Sequence, residues 1–267
     1  MKAAATPPPA AALAGRSIVV TRPREQSAGI AGLIKALGGR AMLFPALEIV
    51  DSGNRSALNA LIDRLDQFDL AIFISPTAVN RAMSLIRVRR RLPGALRIAA
   101  IGEGSARELR RFEVDQILLP EGRFDSEGLL GMSEFADVEG KSIVIFRGEG
   151  GRELLGDTLA ARGARIEYAE CYRRVRPHGD SQELLRAWAR GEIHAIVVTS
   201  TEALRNLFEM VGTLGRHWLR KTPLFVPHGR IAAVAGELGI ANVVVTEPGD
   251  EGMVTGMIRF FADQRLE

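Results

Sequence analysis

Gly15-Arg16-Ser17-Ile18-Val19-Val20-Thr21-Arg22 returns 125 residues later as Gly140-Lys141-Ser142-Ile143-Val144-Ile145-Phe146-Arg147. At the same spacing of 125, Asp69-Leu70-Ala71-Ile72-Phe73-Ile74-Ser75 meets His194-Ala195-Ile196-Val197-Val198-Thr199-Ser200. At a spacing of 126, Ile101-Gly102-Glu103-Gly104-Ser105-Ala106 meets Pro227-His228-Gly229-Arg230-Ile231-Ala232. Identity is low but the register is regular, which marks an internal repeat. Short apolar, β-branched runs at residues 17–21, 70–74, 97–101 and 116–119 alternate with helical stretches at 26–37, 77–86 and 105–112. The second half echoes them with strands at 142–146, 193–199, 224–226 and 243–246, and helices at 151–162, 201–211 and 230–238. Nearly continuous apolar strands between helices predict parallel sheets covered on both faces. The fold class is therefore α/β, doubly wound, in two lobes.

Two extended segments, 43–51 around Pro45 and 168–177 ending at Pro177, read as linker strands. Proline removes a ladder donor and biases the preceding residue away from helix. With crossings there, residues 51–172 form one contiguous lobe, and 15–46 combine with 177–267 in a second, discontinuous one. A simple tandem split near residue 135 is the alternative that the repeat leaves open. Residues 1–14, rich in alanine and proline and interrupted by Pro7-Pro8-Pro9, read as a disordered leader and not as a signal segment.

The chain has 267 residues, 46% hydrophobic and 25% charged, a size that suits two domains better than one. Its net charge of +3 is too small to imply nucleic acid. Its basic residues are mostly arginine, the side chain suited to bidentate capture of carboxylate or phosphate. The single cysteine, Cys171, excludes an internal disulfide framework and fits a reducing compartment. The four histidines show no metal-ligand spacing, so no metal site is expected. No apolar run reaches the roughly 18 residues of a membrane span. Gly102-Glu103-Gly104 lacks the third glycine of a dinucleotide fingerprint, and no phosphate-binding P-loop occurs.

Laid out in this order, the chain resembles the uroporphyrinogen-III synthase family. The carriers are Val20-Thr21-Arg22-Pro23, Phe44-Pro45, Phe73-Ile74-Ser75, Ile101-Gly102-Glu103-Gly104-Ser105-Ala106, the pairs Arg147-Gly148 and Gly151-Arg152, Cys171-Tyr172-Arg173-Arg174, Val198-Thr199-Ser200 and His228-Gly229-Arg230-Ile231-Ala232. Order and spacing carry the resemblance, since no single motif is diagnostic. It covers nearly everything after the leader. It implies two α/β lobes joined by a two-stranded β linker, with the N-terminal strand in the C-terminal lobe. It also implies a cofactor-independent lyase that cyclises hydroxymethylbilane to uroporphyrinogen III, with loss of water and inversion of the last pyrrole, ring D. The implied setting is a cytoplasmic monomer making transient contact with the preceding pathway enzyme, without nucleic acid or membrane.

In open α/β sheets, ligands bind beyond the carboxyl ends of strands, where helix N-termini offer unpaired N–H groups to anions. Thr21, Arg22, Ser75, Thr77, Gly102, Gly104, Ser105, Arg147, Thr199, Ser200, His228 and Arg230 fall at such places, and Arg152 lies just beyond one. They are the candidate substrate-binding residues, the arginines suiting a substrate with eight carboxylates. Ser75, Ser105 and Ser200 equally suit helix capping alone, and any one arginine suits a solvated surface. Arg173, Arg174 and Arg176 alternate along the second crossing and suit keeping an edge soluble. Tyr172 matches the tyrosine that the family places at the linker, which makes it the candidate catalytic acid. A phenol is neutral at pH 7 and can donate a proton to a departing hydroxyl. The rival reading is a non-catalytic two-lobed binding or regulatory module for a small anion, which would share the repeat and the strand-end serines.

Overall fold

The computed structural model describes residues 11–151 and 153–264. In chain order the elements begin with β1 (Ser17–Val20), α1 (Ala28–Ala36), β2 (Arg40–Leu43), β3 (Glu48–Asp51) and α2 (Arg55–Asp63). Next come β4 (Leu70–Phe73), α3 (Pro76–Arg89), β5 (Arg97–Ala100), α4 (Glu103–Arg111), β6 (Ile117–Leu118) and α5 (Ser126–Leu130). The second half holds β7 (Ser142–Gly148), α6 (Leu154–Ala161), β8 (Arg165–Val175), α7 (Gln182–Ala189), β9 (Ala195–Val197), α8 (Thr201–Met210) and α9 (Gly212–Leu219). It closes with β10 (Leu224–Val226), α10 (Gly229–Glu237), β11 (Val243–Val245) and α11 (Gly249–Asp263).

The chain divides into two compact units. One joins the N-terminal segment up to Glu48 to the C-terminal segment from Val175; the other is Ile49–Arg174. The first unit holds a five-stranded sheet in the order β11-β10-β9-β1-β2, and the second a six-stranded sheet in the order β3-β8-β7-β4-β5-β6. Parallel pairing runs through β11 to β2 in one and through β8 to β6 in the other. Because β1 pairs with β9, and β4 with β7, a simple tandem split is excluded. The linker segment expected at 43–51 is not one strand: β2 ends at Leu43 and β3 starts at Glu48, with Ala46 and Leu47 buried between them.

The repeat extends to the residue pairing of both sheets. Ser17 faces Arg40 between β1 and β2, and Ser142 faces Arg165 between β7 and β8. Ile18 faces Ala195 as Ile143 faces Leu70. Leu224 faces Ile196 and Val243, as Ile98 faces Ala71 and Ile117. Every one of these correspondences keeps the spacing of 125 or 126 found in the sequence. Chain reversals match as well: Gly38 after α1 and Gly163 after α6 both have left-handed φ, 78° and 88°, which a side chain would strain.

Each sheet is covered on both faces, as parallel sheets require. Phe73 and Phe146 stack at 4.6 Å inside the core of the second unit, adjacent on β4 and β7. In the first unit Ile18, Val20, Ile30 and Ile34 from the N-terminal segment pack with Val197, Phe225, Met257 and Phe261 from the C-terminal one. Leu13 joins that core fully buried, and its N–H donates to Leu37 O at 2.9 Å. The expectation of a disordered leader through residue 14 is therefore corrected for residues 11–14, which an apolar side chain anchors; residues 1–10 lie outside the described residues. Among the described residues, no helix is long and apolar enough to cross a membrane.

Candidate functional site

In the Ile49–Arg174 unit, β4, β5, β7 and β8 direct their carboxyl ends to one edge, where α3 and α4 begin. Ser75 caps α3, its Oγ accepting from Ala78 N at 3.0 Å, with Pro76 in the first turn. The half-buried Thr77 follows in that turn. Gly102 is the N-cap of α4, in extended conformation. A Cβ on Gly104 would lie 3.2 Å from Pro76 Cγ, so the starts of the two helices touch. Ser105, expected as a cap, is instead inside α4 and 2% exposed. The helix starts two residues earlier than its sequence suggests, which turns this serine toward the core.

Tyr172 is 3% exposed and belongs to the same core as Phe73 and Phe146. It reaches that place through an irregularity in the ladder. Arg147 faces Glu170, but the next residue, Gly148, faces Tyr172, leaving Cys171 as the extra residue of a bulge. A strand alternates its side chains between faces, and a bulge resets that alternation. Cys171 and Tyr172, neighbours in sequence, are accordingly both buried in one core. The phenol oxygen lies 3.2 Å from Ser75 Oγ, where either can donate, and 3.5 Å from Arg174 Nη2. The Arg174 guanidinium also sits 5.8 Å from the centre of the Tyr172 ring. Arg174, read from sequence only as a solubilising edge residue, is thus the cation beside the phenol, whereas Arg176 pairs with Glu209.

Arg147 is 4% exposed, and its guanidinium is 4.5 Å from the Tyr168 ring centre. It donates from Nε to Gly148 O at 3.2 Å and from Nη2 to Gly151 O, so it pins the turn after β7. Burial pushes the Tyr168 phenol above its usual range, against the pull of Arg147. Arg152 lies outside the described residues. The same edge carries Phe124, 51% exposed, beside Gly102, a residue that the sequence reading did not single out.

In the other unit, Thr21 is fully buried, and its hydroxyl donates to Val197 O at 2.8 Å, tying β1 to β9. Arg22 pairs with Asp250 at the start of α11, at 2.5 Å. Asp250 was also missed in the sequence, because 228 residues separate the partners. Thr199 is half-buried and leads into Ser200, whose Oγ caps α8 by accepting from Ala203 N at 3.0 Å. His228 is the exposed N-cap residue of α10, without a side-chain cap bond, and Arg230 is exposed in its first turn. The structure therefore brings Ser75 and Tyr172 together, and sets Gly104 against Pro76 and Gly102 against Phe124. Thr21, Ser105 and Arg147 are turned inward.

The model of the family described as "Uroporphyrinogen-III synthase HemD" matches residues 28–255. The uroporphyrinogen-III synthase of Escherichia coli is 36% identical over 236 residues, covering 88% of this chain and 96% of that protein. The Salmonella typhimurium enzyme of the same name is 37% identical over the same shares. Among solved structures, a mutant uroporphyrinogen III synthase of Thermus thermophilus superposes with a TM-score of 0.63 at 19% identity, over 93% of this chain and 99% of that one. The Helicobacter pylori uroporphyrinogen-III synthetase gives 0.61 at 17% identity, over 92% and 99%. At such identities the superpositions bear on the fold alone, and they agree with two-lobed α/β architecture. By the extent of the family match and the identity to its bacterial members, the chain belongs to the uroporphyrinogen-III synthase family.

Proposed function

We propose that the chain cyclises hydroxymethylbilane to uroporphyrinogen III, with loss of water and inversion of ring D, and that Tyr172 supplies the proton to the departing hydroxyl. The observation that carries the residue assignment is the contact of the Tyr172 phenol with Ser75 Oγ at 3.2 Å, with Arg174 Nη2 at 3.5 Å. Two hydroxyls in contact can relay a proton: Ser75 accepts from Tyr172 while donating outward, and Arg174 Nη2 donates toward the phenol oxygen. Loss of the hydroxyl leaves an azafulvene. Attack from the substituted carbon of the last ring gives a spiro intermediate, whose rearrangement inverts that ring before closure.

Unaided closure gives the other isomer, so the enzyme has to redirect a reaction that runs readily by itself. A tenfold preference corresponds to about 1.4 kcal/mol, which differential holding of the folded-up chain can supply. The groups suited to substrate carboxylates in this reading are helix N-terminal N–H groups beyond the strand ends, with Arg22, Arg152 and Arg230, while the buried Arg147 holds the turn after β7 through Gly148 O and Gly151 O. Thr21 and Ser105 support the backbone that presents them. The enzyme needs no cofactor in this reading and works as a cytoplasmic monomer, in transient contact with the preceding pathway enzyme. A non-catalytic module is not favoured, since the family match runs from residue 28 to 255.

Tyr172→Phe tests the assignment. It removes one oxygen and keeps the ring, so kcat should fall by about 10²-fold or more, the usual scale of acid catalysis, with KM within about twofold. An unchanged kcat would demote Tyr172 to core packing.

A further inference from the structure

We infer that Gly148 is a positioning residue of the reaction: its missing side chain is what lets the Tyr172 phenol lie across the end of β7 and reach Ser75. This rests on the catalytic reading of Tyr172. A Cβ built on Gly148 would stand 2.7 Å from both Cε2 and Cζ of Tyr172 and 3.1 Å from its hydroxyl oxygen. Both ring atoms are closer than any real Cβ contact allows. The backbone does not demand glycine there, because Gly148 is not among the left-handed glycines. The ring demands it.

Three further features place the ring over that glycine. The bulge makes Gly148, and not Glu149, the ladder partner of Tyr172. Glu149 N donates to Tyr172 O at 2.8 Å, holding the backbone of β8 against the turn that follows β7. Glu149 Oε1 in turn accepts from Ser52 Oγ at 3.1 Å and Gly53 N at 2.9 Å, which fixes that turn to the segment after β3. Glycine in a strand commonly marks such a close approach. With any side chain at 148 the ring has to tilt or slide, and its hydroxyl leaves the reach of Ser75 and Arg174. A displacement on the order of 1 Å is enough to cost about 10²-fold in rate.

The test combines Gly148→Ala, Tyr172→Phe and the double variant in steady-state assays on hydroxymethylbilane, with NMR of ring-labelled tyrosine. The chain has only two tyrosines, so Tyr168→Phe assigns their signals. In Gly148→Ala, kcat falls by roughly 10- to 100-fold with KM held within about twofold, and the Tyr172 ring signals move. Added to Tyr172→Phe, the alanine costs less than about twofold in kcat, because two residues acting through one hydroxyl are not additive. Full kcat in Gly148→Ala while Tyr172→Phe is slow would overturn the positioning role alone, as would an equal loss in both backgrounds. Wild-type kcat in Tyr172→Phe would instead overturn the parent reading, and the positioning role with it. Should the alanine destabilise the fold too far for kinetics, Tyr172→Leu decides, since leucine lacks the struck ring atoms. The loss of melting temperature caused by Gly148→Ala shrinks in that background; an undiminished loss contradicts the contact.

Discussion

Cys171 and Tyr172 are adjacent, yet both point into the core of the second unit, and the bulge at Arg147 and Gly148 is the cause. Their environments differ in consequence. Burial pushes the Cys171 thiol up to about 12, while its sulfur donates to Ala169 O at 3.2 Å. A thiol so raised and enclosed is a poor nucleophile near neutral pH. The only cysteine of the chain should therefore react with a disulfide reagent at pH 8 only as fast as the protein unfolds, and at full speed in denaturant. Fast stoichiometric labelling of the native enzyme would contradict this burial. The sequence reading reached Tyr172 through a family resemblance but had no means of seeing the bulge, because one extra residue in a strand leaves composition and apolar content unchanged. It placed Arg147 at a strand end, as found, but not inside the fold. An arginine covered by an aromatic ring and bonded to carbonyls is invisible to patterning.

At the level of elements, the two units close the amino ends of matching strands with the same device in different chemistry. Ser17 N donates to His194 Nδ1 at 3.1 Å, and Ser142 N donates to Asp69 Oδ2 at 2.9 Å. His194 N returns to Ser17 O at 3.0 Å as Asp69 N returns to Ser142 O at 2.9 Å. Both pairs obey the spacing of 125. The imidazole latch has a pH limit, because its Nδ1 can accept only while unprotonated. Burial, and then the nearby Arg16, depress the His194 pKa below the usual 6.5, and the Glu192 backbone acts weakly the other way. Above about pH 6.5 the histidine is neutral folded or unfolded, and the latch contributes fully. As pH falls below that, the unfolded chain binds the proton more readily, so stability drops until the folded pKa is passed. Melting temperature should decline as pH falls below the usual histidine range, and His194→Asn, which keeps an acceptor without the titration, should flatten the decline. An identical slope in that variant would remove His194 as its cause. The aligned Asp69 and His194 were legible in the sequence as a register match, but their shared role required the strand pairing.

For the whole molecule, the repeat made most of the strands legible, although β2 at Arg40–Leu43 fell outside the runs read as strands. It could not say which strands assemble together. That is decided by long-range pairing, β1 with β9 and β4 with β7, so the first half gives β1 and β2 to one unit and β3 to β6 to the other, while the second half gives β7 and β8 to the latter and β9 to β11 to the former. One unit is consequently continuous in sequence and the other is not. A fragment spanning residues 48–175 retains every strand of its sheet and should unfold cooperatively in urea. A fragment starting at residue 175 lacks β1, β2 and α1, and with them Ile18, Val20, Ile30 and Ile34 of its core, so it should be unfolded or aggregated unless residues 11–48 are supplied. Cooperative folding of the C-terminal fragment by itself would contradict the shared core. The broadest claim concerns chemistry and is decided by product. Hydroxymethylbilane is incubated with and without the protein, and the uroporphyrinogen isomers are oxidised and separated. Isomer III in clear excess over the protein-free control is the predicted result, and a product no richer in isomer III than that control would contradict the account.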